Sequence, residues 1–136
     1  MAAKANIATA KAACEGFGKG DIDSFTKGFH PEAFRMEPDG LLAGGTYRGP
    51  KAIAEGIKLA ASVMKMVHFE LEDIAASESG KLVYAYMHAV MKHQPTGRVI
   101  AYPIVEVFRF NEQGQVVEFR PFHFDTARSA GLSAST

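Results

Sequence analysis

Val67-His68-Phe69-Glu70-Leu71-Glu72 is the stretch at which the hydrophobic period of this chain changes. Val67, Phe69 and Leu71 alternate with His68, Glu70 and Glu72, the period of two that sends successive side chains to opposite faces of a half-buried strand. The residues after Glu72 keep that period. Turn signals at Glu78 to Gly80, at Gln94 to Gly97 and at Asn111 to Gly114 separate three long strands, over residues 82–93, 98–110 and 115–125. The residues before Val67 have helical spacing. Ile7, Ala10, Cys14 and Phe17 share one face of a first helix, which Gly16, Gly18 and Gly20 bring to an end. Asp21 is placed to cap a second short helix with Ile22, Phe25 and Phe29 on one face; it ends at His30-Pro31, because the residue before a proline avoids the α region. Ala33 to Glu37 reads as a short extended piece. A glycine-rich loop from Pro38 to Gly49 has the length of a pocket rim, and Pro50 opens a third helix with Ile53, Ile57, Ala60 and Met64 inward. Helices first and a hairpin meander after them make an α+β domain and not a parallel α/β sheet. With no repeat or low-complexity segment, residues 1–136 read as one domain, with a core over about 5–127 and a flexible C-terminal tail over 128–136.

Composition narrows the function classes. The chain has 15 basic and 15 acidic residues and no net charge, so it carries no electrostatic footprint for nucleic acid or an anionic membrane. Cys14 is the single cysteine, which excludes an internal disulfide and a thiolate metal cluster and fits a reducing compartment. The alanine-rich N-terminus lacks the apolar run of a signal peptide, and no stretch approaches the roughly 20 apolar residues of a membrane span, so the expected location is the cytoplasm. The five histidines show no metal-ligand spacing, and neither a metal nor a cofactor is expected.

On the strand Ala101 to Phe110, Ile104 and Phe108 lie on one face while Val105 and Val107 lie on the other. Helices can cover the first face. A second copy of the chain is the simplest cover for the other, so a homodimer packed through the outer face of the sheet is expected. Glu106 sits among these apolar residues and shares a face with Tyr102, Ile104 and Phe108. Either it reaches water or a basic neighbour, or it faces a pocket, where burial favours the neutral acid and lets it donate a hydrogen bond to a ligand oxygen. Glu37, immediately before Pro38 and the loop, can lean over a pocket mouth. Phe17, Tyr86, His88, Tyr102, Ile104, Phe119 and His123 are the candidate pocket-lining residues; His88 alternates with Tyr84 and Tyr86, and His123 with Phe119 and Pro121.

Three segments carry a resemblance. They are Gly20-Asp21-Ile22-Asp23, Met36-Glu37-Pro38-Asp39-Gly40 and Tyr47-Arg48-Gly49-Pro50-Lys51-Ala52-Ile53, and the late run from Val107 through Asn111-Glu112-Gln113-Gly114 to Val117, together with Arg120 to Thr126, agrees with them. Across residues 10–127 the chain resembles the nuclear-transport-factor-2-like superfamily, in its SnoaL-like and ketosteroid-isomerase-like branch. The resemblance implies a cone, in which a curved antiparallel sheet wraps around N-terminal helices and leaves an apolar pocket between them. It implies cofactor-independent proton transfer next to a carbonyl, by an isomerase or cyclase, on a small apolar carbonyl-containing ligand. It places Glu37 at the family's general-base position and Glu106 at its protonated acid, a pair of carboxyls set to opposite protonation by their surroundings. The family's oxyanion-hole tyrosine falls at Ala13, so a substitute donor would have to come from Tyr86, Tyr102, His88 or His123. Two other functions fit the same fold. One is a non-catalytic domain holding a small apolar or carboxylate-bearing ligand; the other is a hydrolase or dehydratase that activates water with an arginine or histidine beside a carboxylate, for which His88 and His123 are the candidates.

Overall fold

The computed structural model describes residues 2–127; the tail expected over 128–136 lies outside them. Helix α1 (Ala2–Gly18) is built from alanine-rich sequence of high helix propensity, and its buried Ala10, Ala13 and Cys14 bring its backbone close to the sheet. At its end the approach is tightest: a Cβ on Gly18 would lie 2.5 Å from the Phe69 ring. Helix α2 (Ile22–Thr26) is capped by Asp21, which accepts from the Ser24 backbone N–H at 3.2 Å and from the Ser24 hydroxyl at 2.5 Å. Those two bonds, the hydroxyl's first, hold the Asp21 carboxyl below its ordinary range.

The second helix is shorter than the sequence suggests. It stops at Thr26, and Phe29, expected on its apolar face, instead opens strand β1 (Phe29–Glu37), which runs straight through His30-Pro31. Pairing decides this. Phe29 lies opposite Val116, and a register irregularity between Phe29 and Phe34 absorbs the proline, which has no N–H to give to the ladder. Strand β2 (Gly45–Arg48) lies inside what reads as loop; four residues beside glycines are too few to display a period. Helix α3 (Pro50–Val63) begins on its proline and buries Ile53, Ala54 and Ile57. It ends one residue early for Met64, which starts strand β3 (Met64–Ala76) and does not belong to the helical face. Strands β4 (Leu82–His93), β5 (Val99–Phe110) and β6 (Val116–His123) end within two residues of the expected bounds.

The six strands form one curved, unclosed sheet in the order β2-β1-β6-β5-β4-β3, and the helices pack on its inner face. All pairs are antiparallel except β1 with β6, which run parallel. Phe25, Phe29, Phe108 and Phe119 fill the core, with ring centroids 5.0 Å apart for Phe25 with Phe119 and for Phe108 with Phe119. Aromatic pairs at this spacing are worth about 0.5–1.5 kcal/mol beyond the area they bury. No described helix is long and apolar enough to cross a membrane.

Candidate functional site

Along β1 the alternation of the strand sends Ala33, Arg35 and Glu37 inward, and all three are buried. Glu37 is the last residue of β1 and His123 the last of β6. Both Glu37 carboxylate oxygens are engaged: Oε2 forms an ion pair with Arg35 Nη2, and Oε1 lies 2.6 Å from His123 Nε2. Since a carboxylate can only accept here, Nε2 carries the hydrogen, and in the neutral imidazole the lone pair then sits on Nδ1. That Nδ1 is buried and has no hydrogen-bond partner among the described residues. The Tyr102 ring packs 5.7 Å from the His123 ring.

These residues open onto a cavity of about 290 Å³. Its polar lining consists of Arg35, Glu37, Lys65, Tyr102 and His123, and its apolar lining includes Phe17, Ile22, Leu41, Leu42, Ile57, Met64, Met66, Met91 and Ile104. Leu41 and Leu42 come from the loop between β1 and β2, which is therefore part of the cavity wall. Of the candidate lining residues, Phe17, Tyr102, Ile104 and His123 are here.

Tyr86, His88 and Phe119 are not, and each misplacement has a physical reason. The odd-numbered residues Val83, Ala85, Met87 and Ala89 of β4 fill the core, so the even-numbered Tyr86 and His88 face outward. There His88 Nε2 lies 3.3 Å from Glu72 Oε2 of the neighbouring strand. Phe119 does point inward, but toward the closed end, where it is enclosed by Phe25, Phe29 and Phe108.

Glu106 also requires correction. It is buried on the inner face of β5, yet it does not line the cavity. Ile104 at one side of it lines the cavity and Phe108 at the other fills the core, and Glu106 itself pairs with Pro121 of β6. The ligand-facing place expected of it is held in the lining by Glu37 and Arg35. Burial pushes the Glu106 carboxyl up from 4.5 to about 8; the Arg35 charge opposes the shift and the Glu37 charge adds to it. Its Oε2 has no partner among the described residues. Close behind it, Cys14 is buried, and its thiol is pushed well above the ordinary range by that burial, then by the charges of Glu106 and Glu15. Arg35 escaped the sequence reading. The available signal was its parity with Glu37 two residues on, which places a guanidinium on the same buried face.

Residues 10–119 match the family model of the SnoaL-like domain. The chain belongs to the SnoaL-like family. Solved structures share the architecture of this SnoaL-like domain at low identity. A nuclear-transport-factor-2-like protein of unknown function from Burkholderia pseudomallei K96243 is 22% identical with a TM-score of 0.81, over 96% of this chain and 98% of that one. A protein of Xanthomonas campestris pv. campestris titled "putative polyketide cyclase" is 16% identical with a TM-score of 0.80, over 98% and 100%. TerC, co-crystallised with polyporic acid, is 20% identical with a TM-score of 0.77, over 94% and 97%. The SnoaL-like domain matches none of the curated proteins.

Proposed function

We propose that this chain is a cofactor-independent small-molecule enzyme that moves a proton at a carbon next to a carbonyl, as an isomerase or a cyclase. The observation that carries the reading is the buried contact between Glu37 and His123 in the wall of a largely apolar cavity. Glu37, held from the other side by Arg35, has both oxygens occupied, which suits it to orienting a base and not to being one. His123 is the proton acceptor: Glu37 fixes its tautomer, leaves the Nδ1 lone pair for the substrate proton, and stabilises the imidazolium that results. The same ring returns the proton to a second carbon, or to the new alcohol of a ring closure, so no external redox agent or cofactor enters the balance. Glu106 contributes from behind the wall. As a neutral acid it adds no second negative charge beside Glu37. The family match and the neighbour titled as a cyclase support a small-molecule reaction of this kind, and the lone buried thiol supports a cytoplasmic site of action.

The test is deuterium uptake from D2O into 2-tetralone, followed by proton NMR. The protein should accelerate exchange at the carbons flanking the carbonyl, and His123→Ala and Glu37→Gln should each lower the rate by on the order of a hundredfold. Exchange at the buffer rate, or full activity in His123→Ala, would refute the assignment. Arg35 and His123 beside Glu37 also favour a second reading, water activation by a hydrolase or dehydratase; it predicts hydrolysis or dehydration of an added substrate with no deuterium exchange into 2-tetralone.

We further propose that two copies associate through the outer face of the sheet. Tyr86, Val105 and Phe122 lie in one row across three strands, with Tyr84 and Val107 in the next, and Phe122 is 55% exposed. Such a row of apolar side chains on an uncovered sheet face is the form a self-complementary interface takes.

A further inference from the structure

The wall of the cavity contains a cation whose hydrogen-bonding capacity is largely unused. Arg35 spends Nη2 on Glu37, while its Nε and Nη1 are buried and have no partner among the described residues. Buried donors left unpaired are costly, and in folded proteins such groups are as a rule satisfied by protein, water or ligand. His123 Nδ1, unpartnered too, belongs to the same wall. The charges agree. Arg35 and Lys65 are the cations of the lining and Glu37 its one carboxylate, so the cavity surface carries a net positive charge of one while His123 is neutral. The rest of the lining is aliphatic, aromatic or thioether: Leu41, Leu42, Met64, Met66 and Met91 are suited to a flat or flexible apolar body.

We infer that the cavity takes an amphipathic acid, an apolar body bearing a carboxylate or an enolate oxygen, and that Arg35 receives the anionic oxygen through the donors Glu37 leaves free. Arg35 thereby selects the substrate class. This inference deepens the proposed function and rests on the same cavity being the ligand site. Glu106, neutral behind the wall, fits the assignment, because a second carboxylate there would repel an anionic ligand.

Calorimetric titration with 2-naphthoate and with its uncharged isostere 2-naphthamide tests it. The protein should bind the carboxylate roughly tenfold or more tightly than the amide, the worth of one charge-assisted hydrogen bond. The double variant Arg35→Gln/Glu37→Gln removes both members of the pair, leaves no lone buried charge, and should bind the two probes equally. Lys65→Gln, which removes the net charge but none of the Arg35 donors, should lower the preference less than the double variant does. Equal affinity of the unaltered protein for both probes, binding of neither at millimolar concentration, or a preference that survives in the double variant would overturn the inference. Binding is read without turnover. Loss of deuterium exchange with an intact carboxylate preference would therefore refute the proton-transfer reading alone, and exchange without the preference would refute this one alone.

Discussion

Glu106→Gln should gain stability relative to the unaltered protein as pH rises, in a way fixed by one carboxyl. In the unfolded chain this group loses its proton near 4.5, and in the folded chain burial holds the proton until about 8. Between those values the folded state binds more protons than the unfolded state, so the stability of the unaltered protein falls as pH rises, by at most about 1.4 kcal/mol per pH unit. At pH 7 the cost amounts to about 3 kcal/mol, and above the folded value it grows no further. Glutamine has the same shape and does not ionise. Its second N–H donor, if unpaired, costs about 1–3 kcal/mol at every pH, so the diagnostic is the slope and not the offset. Urea unfolding of both proteins between about pH 5 and pH 9 measures it, with m-values checked for equality. The stability difference should rise in favour of the variant from pH 5 to pH 8 and then level off. A difference that stays constant over that range would show that Glu106 ionises normally in the folded protein, and the description of a neutral carboxyl behind the cavity wall would be wrong.

Cys14 should react with Ellman's reagent only as fast as the protein unfolds, because burial raises its thiol and shields it; rapid labelling under native conditions would refute its placement behind Glu106. Phe122→Asp should convert a micromolar dimer to a monomer in sedimentation experiments without loss of secondary structure, since its side chain is largely exposed within one chain; a monomeric parent protein would dispose of the proposed interface.

The long strands were legible because alternation repeats along them: β4, β5 and β6 each carry enough residues for the period to show, and polar turns bound them. Short segments were not. β2 has four residues, and the start of β1 at Phe29 depends on a partner, Val116, that local pattern does not contain. The same limit governed the site. Glu37, Tyr102, Ile104 and His123 could be picked out from chemistry and parity, whereas the inward or outward sense of β4 depends on which parity faces the helices. The residues Ala85, Met87 and Ala89 are smaller or plainer than Tyr84, Tyr86 and His88, and the helices claim the small ones because α1 packs close. The polar-aromatic residues of that strand therefore decorate the outside of the sheet.

The parallel junction between β1 and β6 explains why chemistry collects where it does. In a parallel pair both strands finish at the same edge of the sheet, so the last residue of β1, Glu37, and the last of β6, His123, come together across 86 positions of sequence. β5 runs antiparallel to β6 and therefore begins at that edge, which brings Tyr102 and Ile104 there, with Ile104 opposite His123. β4 ends at this edge and β3 begins there, which supplies Met91, Met64 and Met66 to the lining. Two residues further along β5 from Ile104, Glu106 pairs with Pro121 and shares the inner face with the lining residues without being one of them. Had β1 paired antiparallel with β6, Glu37 would lie at the opposite end of the sheet, and His123 would have no carboxylate. One strand direction thus decides which acid meets the histidine.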